Sequence, residues 1–128
     1  MPLACLLVLH TISMIIFIRD ARFHAFHGVM EQERKVGNEF SVSLSVDVPY
    51  SEGMKDDKLE ATVSYADLYA IIAEEMKNPR NLLEAVAISI GNRIISEFEE
   101  VSFGSITIVK EHPPISGISG EAGVTHYF

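Results

Sequence analysis

Four side chains in this sequence stand where their chemistry would matter. Residues 101–109 have strand composition, side chains two apart on a strand share a face, and Ile106, Ile108 and Lys110 therefore point the same way. An ammonium at the end of an apolar row gives up hydration, which favours the neutral amine and makes it available as a base. The same position also suits a lysine that only blunts a strand edge. Pro113 and Pro114 stiffen the exit just beyond it. Glu84 follows Asn81 by three residues, with Leu82 and Leu83 between them. That spacing favours a capping box, with a carboxylate that receives two parallel N–H donors from a flat nitrogen heterocycle as the functional alternative. Tyr65 opens a helical pattern, where packing of its ring in the core is the default reading and a phenol presented as an acid the alternative. Glu33, inside Glu31-Gln32-Glu33-Arg34-Lys35, reads as one of several solvated loop charges.

Other chemistries find no support in the pattern. His24 and His27 are the closest histidine pair, but on an extended segment three residues apart they face opposite ways, and no Cys or paired carboxylate completes a ligand set. No metal or cofactor is expected. The sequence has no nucleophile elbow, phosphate-cradling loop or zinc-protease motif. With 10 Lys+Arg against 18 Asp+Glu and a net charge of −8, it also lacks the basic patch that phosphate backbones require. The lone Cys5 cannot form an internal disulfide, which points to a reducing compartment.

The elements that must position these residues follow from hydrophobic periodicity in the 128 residues, 48% of them hydrophobic. Residues 15–26 are rich in β-branched and aromatic types. Phe40, Val42, Leu44, Val46 and Val48 then alternate with Ser41, Ser43, Ser45 and Asp47 up to Pro49, as in a half-buried antiparallel strand whose serine row faces solvent or a polar lumen. A helix begins at Tyr65, with Ser64 as cap and Leu68, Ile71, Ile72 and Met76 on one face. Asn78-Pro79-Arg80-Asn81 breaks it. A second helix carries Leu83, Val86, Ala87, Ile90, Ile94 and Phe98, with Asn81 as the expected cap and Gly91 as a site of close helix approach. Residues 101–109 and 124–128 return to strand. The order ββααββ implies an α+β domain, an antiparallel sheet with both helices on one face. Residues 1–13 are apolar and lack the basic flank of a signal peptide and the length of a membrane span, so they read as an appendage to a single domain over residues 14–128.

The strings Arg22-Phe23-His24-Ala25-Phe26-His27-Gly28-Val29, Glu31-Gln32-Glu33-Arg34-Lys35-Val36-Gly37-Asn38, Thr62-Val63-Ser64-Tyr65-Ala66, Asn81-Leu82-Leu83-Glu84 and Lys110-Glu111-His112-Pro113-Pro114-Ile115 together resemble the dihydroneopterin aldolases of folate biosynthesis. The resemblance runs from about Met14 to Phe128 with the motifs in family order. It implies the tunnelling fold, in which ββααββ subunits join edge to edge into a ring-shaped β-barrel. Such a ring forms a homo-oligomeric tetramer or stacked octamer, with pterin sites between neighbours. Closing a ring pairs the strand edges that a lone subunit exposes.

The resemblance also assigns roles. Glu84 would anchor the pterin's amino and amide N–H groups, Leu83 would bind it through the backbone, Lys110 would transfer protons, Glu33 would lie near the reacting side chain, and Tyr65 would come from the adjacent subunit. Ala85 departs from the family, in which many members carry His there, and an altered affinity is the expected consequence. The implied reaction is a metal-independent retro-aldol cleavage of dihydroneopterin to hydroxymethyldihydropterin and glycolaldehyde in the cytoplasm, with epimerase side activity. Two rivals stay open. A dedicated epimerase of the triphosphate form would want a basic cluster that this sequence lacks, and a non-catalytic pterin-binding ring protein would need only the Glu84 end.

Overall fold

The computed structural model describes residues 12–128. The alternating run around residues 40–48 sits at the centre of the architecture. Strands β1 (Ser13–Ala25), β2 (Asn38–Pro49), β3 (Phe103–Lys110) and β4 (Ala122–Tyr127) form one antiparallel sheet in the order β1-β2-β3-β4. Because β2 lies inside the sheet, its apolar row is sealed. Phe40, Val42, Leu44, Val46 and Val48 are at most 1% exposed.

Helices α3 (Tyr65–Met76) and α4 (Leu83–Glu97) cover that face. They contribute Leu68, Ile71, Ile72 and Met76, and Val86, Ala87, Ile90 and Ile94, to the same apolar core as the β2 row. Ser64 caps α3 by accepting a hydrogen bond from the Ala66 N–H at 3.3 Å. Between the strands lie two short helices absent from the sequence reading, α1 (Glu31–Val36) and α2 (Glu52–Lys55), and a 3-10 turn over Leu59–Ala61. Apart from these short elements, the ββααββ order is the observed one.

Three details depart from expectation. The cap of α4 is Leu82, in extended backbone and without a side-chain cap bond, so Asn81 is not the cap. Gly91 answers to the C-terminal ring rather than to a second helix, since a Cβ there would meet Phe128 Cδ1 at 2.9 Å. On the far face of β2, Ser41 is buried and not open to solvent. Its partner strand explains this. Arg19 and Asp20 stand together opposite Ser43 in a β-bulge, Asp20 adopts φ 55°, its N–H donates to Ser43 Oγ at 3.0 Å, and its carboxylate accepts from Ser41 Oγ at 3.3 Å.

Of the apolar N-terminal segment, residues 1–11 lie outside the described residues. Ser13 already pairs with Pro49, and the Ile12 carbonyl accepts from Tyr50 N–H at 3.0 Å. Among the described residues no helix is long and apolar enough to cross a membrane.

The two helices are locked together at Glu75. Its carboxylate accepts from Ser89 Oγ at 2.6 Å, from Arg80 Nη2 at 3.0 Å and from Arg93 Nη1 at 3.2 Å. Burial alone would push the Glu75 carboxyl up, but these three donors hold it below the usual carboxylate range. A lowered folded pKa contributes stability above the unfolded value, about 4.3, and loses it as the pH falls through the folded value. Glu75→Gln should therefore cost about 1–3 kcal/mol at neutral pH. Urea unfolding across a pH series should show a flatter acid dependence for the variant than for the parent.

Candidate active site

Lys110 emerges where the Ile106–Ile108 row leaves the core, with both isoleucines fully buried and the lysine side chain 14% exposed. A cation held this far from water needs a counter-charge. The sheet does not supply one; α1 does. Glu33, 6% exposed, pairs with the Lys110 ammonium across 77 residues of sequence. The lone amine expected from the strand pattern is thus one half of a buried ion pair, and the apparent loop charge is the other half.

Local backbone geometry makes room for it. Gly28 has φ 150°, a region in which a side chain is strained, and a Cβ there would meet the Glu33 carboxyl carbon at 2.5 Å. The Met30 N–H reaches Glu33 Oε1 at 3.4 Å, and Arg34 Nε donates to the Gly28 carbonyl at 3.2 Å, which closes the loop onto the helix.

The pair opens into a cleft of about 330 Å³, within the size range of small-molecule sites. Its walls are largely apolar: Val29 and Met30 on one side, Leu82 and Leu83 on another, and Ile115 and Val124 at the sheet end. Two ties place the segment beyond Lys110. The Glu111 N–H donates to the Glu39 carbonyl at 3.1 Å, and Asn38 Nδ2 donates to the His112 carbonyl at 2.8 Å.

Facing the ion pair is the start of α4. With Leu82 as cap, Leu83 and Glu84 are the first two helical residues, so Glu84 does not occupy the capping-box position. Its carboxylate makes no hydrogen bond or ion pair among the described residues, and it lines the cleft. The first-turn N–H groups of Leu83 and Glu84 have no intrahelical acceptor either. One end of the cleft therefore offers an unpaired carboxylate beside free backbone donors, and the other offers an ammonium–carboxylate pair suited to moving protons.

The structure brings together Glu33, Leu83, Glu84 and Lys110. It does not bring in Tyr65, which opens α3, is 68% exposed and so does not pack in the core, and stands outside the cleft. His24 and His27 diverge as expected. His24 Nδ1 pairs with Glu39 at 2.7 Å and its Nε2 lies 3.0 Å from the Val36 carbonyl, whereas His27 is fully buried. Among the described residues no group of three His, Cys, Asp or Glu is arranged to hold a metal. His27 was missed as part of the site's surroundings. Its partner is a backbone N–H, which leaves no signal in the sequence.

Removing Lys110 alone would strand the buried Glu33 carboxylate. Lys110→Met is expected to cost about 3–5 kcal/mol in urea unfolding. The double variant Glu33→Gln/Lys110→Met should recover at least half of that loss, a coupling that independent sites would not show.

Comparison with known proteins converges on one family. The family model described as FolB, dihydroneopterin aldolase, matches residues 16–127. The dihydroneopterin aldolase of Staphylococcus epidermidis is 32% identical over 111 residues, 86% of this chain and 92% of that protein. That of Bacillus subtilis is 30% identical over 103 residues, 80% of this chain and 86% of that protein. In fold, the chain is similar to the Escherichia coli dihydroneopterin aldolase solved in complex with neopterin, with a TM-score of 0.79 at 20% identity, covering 90% of this chain and 98% of that one.

Proposed function

The chain belongs to the dihydroneopterin aldolase family, and from that premise we propose that it cleaves dihydroneopterin to hydroxymethyldihydropterin and glycolaldehyde by a retro-aldol reaction, as one step of folate biosynthesis. The observation that carries this reading is the cleft itself, with the Glu33–Lys110 pair at one end and the unpaired Glu84 carboxylate at the other.

In this reading Glu84 accepts the pterin's amino and amide N–H groups as a parallel pair, Leu83 adds backbone contacts, and the apolar walls sandwich the flat ring. The reacting side chain then lies toward Lys110. Lys110 first passes its ion-pair proton to Glu33, and the neutral amine then takes, through a water, the proton of the side-chain hydroxyl, whose C–O becomes a carbonyl as the adjacent carbon–carbon bond breaks. The released electron pair passes into the ring C=N bond, giving an enamine protonated at N5. A proton delivered to the pterin-side carbon of the broken bond with the help of Tyr65, with loss of the N5 proton, restores the ring C=N bond and completes the product. The substrate's own C=N bond takes up the electrons, so neither a Schiff base nor a metal is called for. Glu33 holds Lys110 in place and balances its charge.

Tyr65 joins this site from a neighbouring subunit. Its exposure supports that arrangement, as do the outer edges of β1 and β4, which pair with no strand among the described residues. Exposed Ile15 and Phe17 on β1 and Tyr127 on β4 fit a ring in which sheets join edge to edge, as a tetramer or a stacked octamer. A cytoplasmic location follows from the pathway and the single cysteine. Re-addition of glycolaldehyde before release would invert the hydroxyl-bearing carbon, which gives an epimerase side activity. A triphosphate substrate is disfavoured, because Lys110 is the cation lining the cleft and Glu33 already neutralises it.

Lys110→Ala is expected to lower kcat by about 10²–10⁴-fold with KM little changed, since a proton-transfer group acts mainly in the transition state. Glu84→Ala should instead abolish pterin binding, measured by titration calorimetry. Lys110→Ala with normal turnover would overturn the assignment. If the site spans subunits, Tyr65→Phe and Glu84→Ala proteins, each nearly inactive, should regain activity when co-refolded into mixed rings.

A further inference from the structure

His27 is buried completely, yet its ring carries out none of the steps above. Nδ1 accepts a hydrogen bond from the Arg80 backbone N–H at 3.2 Å, while the neighbouring Gly28 N–H donates to the Arg80 carbonyl at 2.9 Å. These two bonds join segments more than fifty residues apart. One segment leads directly into the loop and helix that carry Glu33. The other leads directly into Asn81, Leu82, Leu83 and Glu84. Arg80 is itself fastened to both long helices, because its Nη2 donates to Glu75 at 3.0 Å and to Ser89 at 3.2 Å.

We infer that His27 is a positioning residue which, through Nδ1, clamps the proton-transfer wall of the cleft to its heterocycle-binding wall and so sets the separation between Lys110 and Glu84. The inference rests on the aldolase reading only for its catalytic readout. The clamp works with a neutral imidazole alone, since Nδ1 must keep its lone pair to accept the Arg80 N–H.

The surroundings hold the ring in that state. Burial pushes the His27 imidazole below its ordinary range, the Arg80 and Lys110 charges push the same way, and the Met76 backbone opposes weakly. Nε2, which carries the proton, meets no partner of hydrogen-bond geometry among the described residues. The charged groups around the ring are Arg80 from the α3–α4 connection and Lys110 from β3, the latter paired with Glu33 from α1. On its remaining side the ring meets Phe40 edge-on, at 5.4 Å between centroids.

Two substitutions separate the acceptor from the bulk of the ring. His27→Asn offers Oδ1 to the Arg80 N–H, and His27→Phe keeps an aromatic ring against Phe40 without an acceptor. Amide hydrogen exchange at Arg80 and steady-state cleavage of dihydroneopterin are measured on the full-length protein. The Arg80 amide should be protected in the parent and in His27→Asn but exchange about tenfold faster or more in His27→Phe. In parallel, kcat/KM should fall about tenfold or more in His27→Phe and return to within about threefold of the parent in His27→Asn. Unchanged Arg80 exchange in His27→Phe, or an Asn variant as impaired as the Phe variant, would overturn the clamp. If His27→Phe does not fold, His27→Asn decides alone, with retained protection and kcat/KM supporting the clamp and their loss overturning it. A parent without turnover would refute the aldolase reading, and Arg80 exchange would still decide the clamp.

Discussion

A buried ammonium must have a buried carboxylate, and in this fold that requirement joins two parts of the chain that share no local signal. Lys110 is carried inward because it continues the Ile106–Ile108 row of an interior strand, and Glu33 is carried to it by a helix inserted between β1 and β2. Each charge alone would be strongly unfavourable at that depth. Together they define the floor of the cleft. Several other features follow from keeping the pair intact: Gly28 in a conformation that leaves room for the carboxylate, Arg34 closing the loop, and the ties of Asn38 and Glu111 beyond Lys110.

The opposite wall is organised by different means. The start of α4 is not closed by a side-chain cap, and Glu84 and the first-turn N–H groups stay available to a ligand. A helix that leaves its own terminus unsatisfied needs to be held from elsewhere. The Glu75–Arg80–Ser89–Arg93 network supplies that hold by fixing α3 to α4 and anchoring Arg80, the residue before the cleft-lining Asn81. Core packing on β2 sets where the helices lie, the polar network sets their relation, and the cleft is the space left between the helix start and the sheet end.

Much of this was legible in the sequence where a single period dominates. The alternation through Phe40–Val48 and the helical rows of α3 and α4 gave the sheet and its covering layer, because burial of one face acts on every residue of the row. Lys110 was legible for the same reason, as the polar end of an apolar row. Glu33 was not. Its burial comes from tertiary contact with a residue 77 positions away, and locally it is one charge among five polar residues; only the family resemblance singled it out. The Asn81 cap fails because capping preference is a local rule, whereas here Leu82 stands at the cap in extended backbone without a side-chain bond. His27 looked like half of a failed metal pair because its partner is a backbone N–H, which leaves no trace in composition. The tyrosine assigned to the neighbouring subunit is a different case. Within one subunit it is exposed, and its assigned role rests on the family resemblance alone.

The central claim is that this cleft breaks a carbon–carbon bond with its own acid–base pair and the substrate's own electron acceptor. The most direct measurement is anaerobic incubation of the purified protein with dihydroneopterin in the presence of a chelator, with both products followed over time. The account predicts hydroxymethyldihydropterin and glycolaldehyde in equal amounts at an undiminished rate. Pterin binding without either product, or cleavage that stops when the chelator is added, would contradict it.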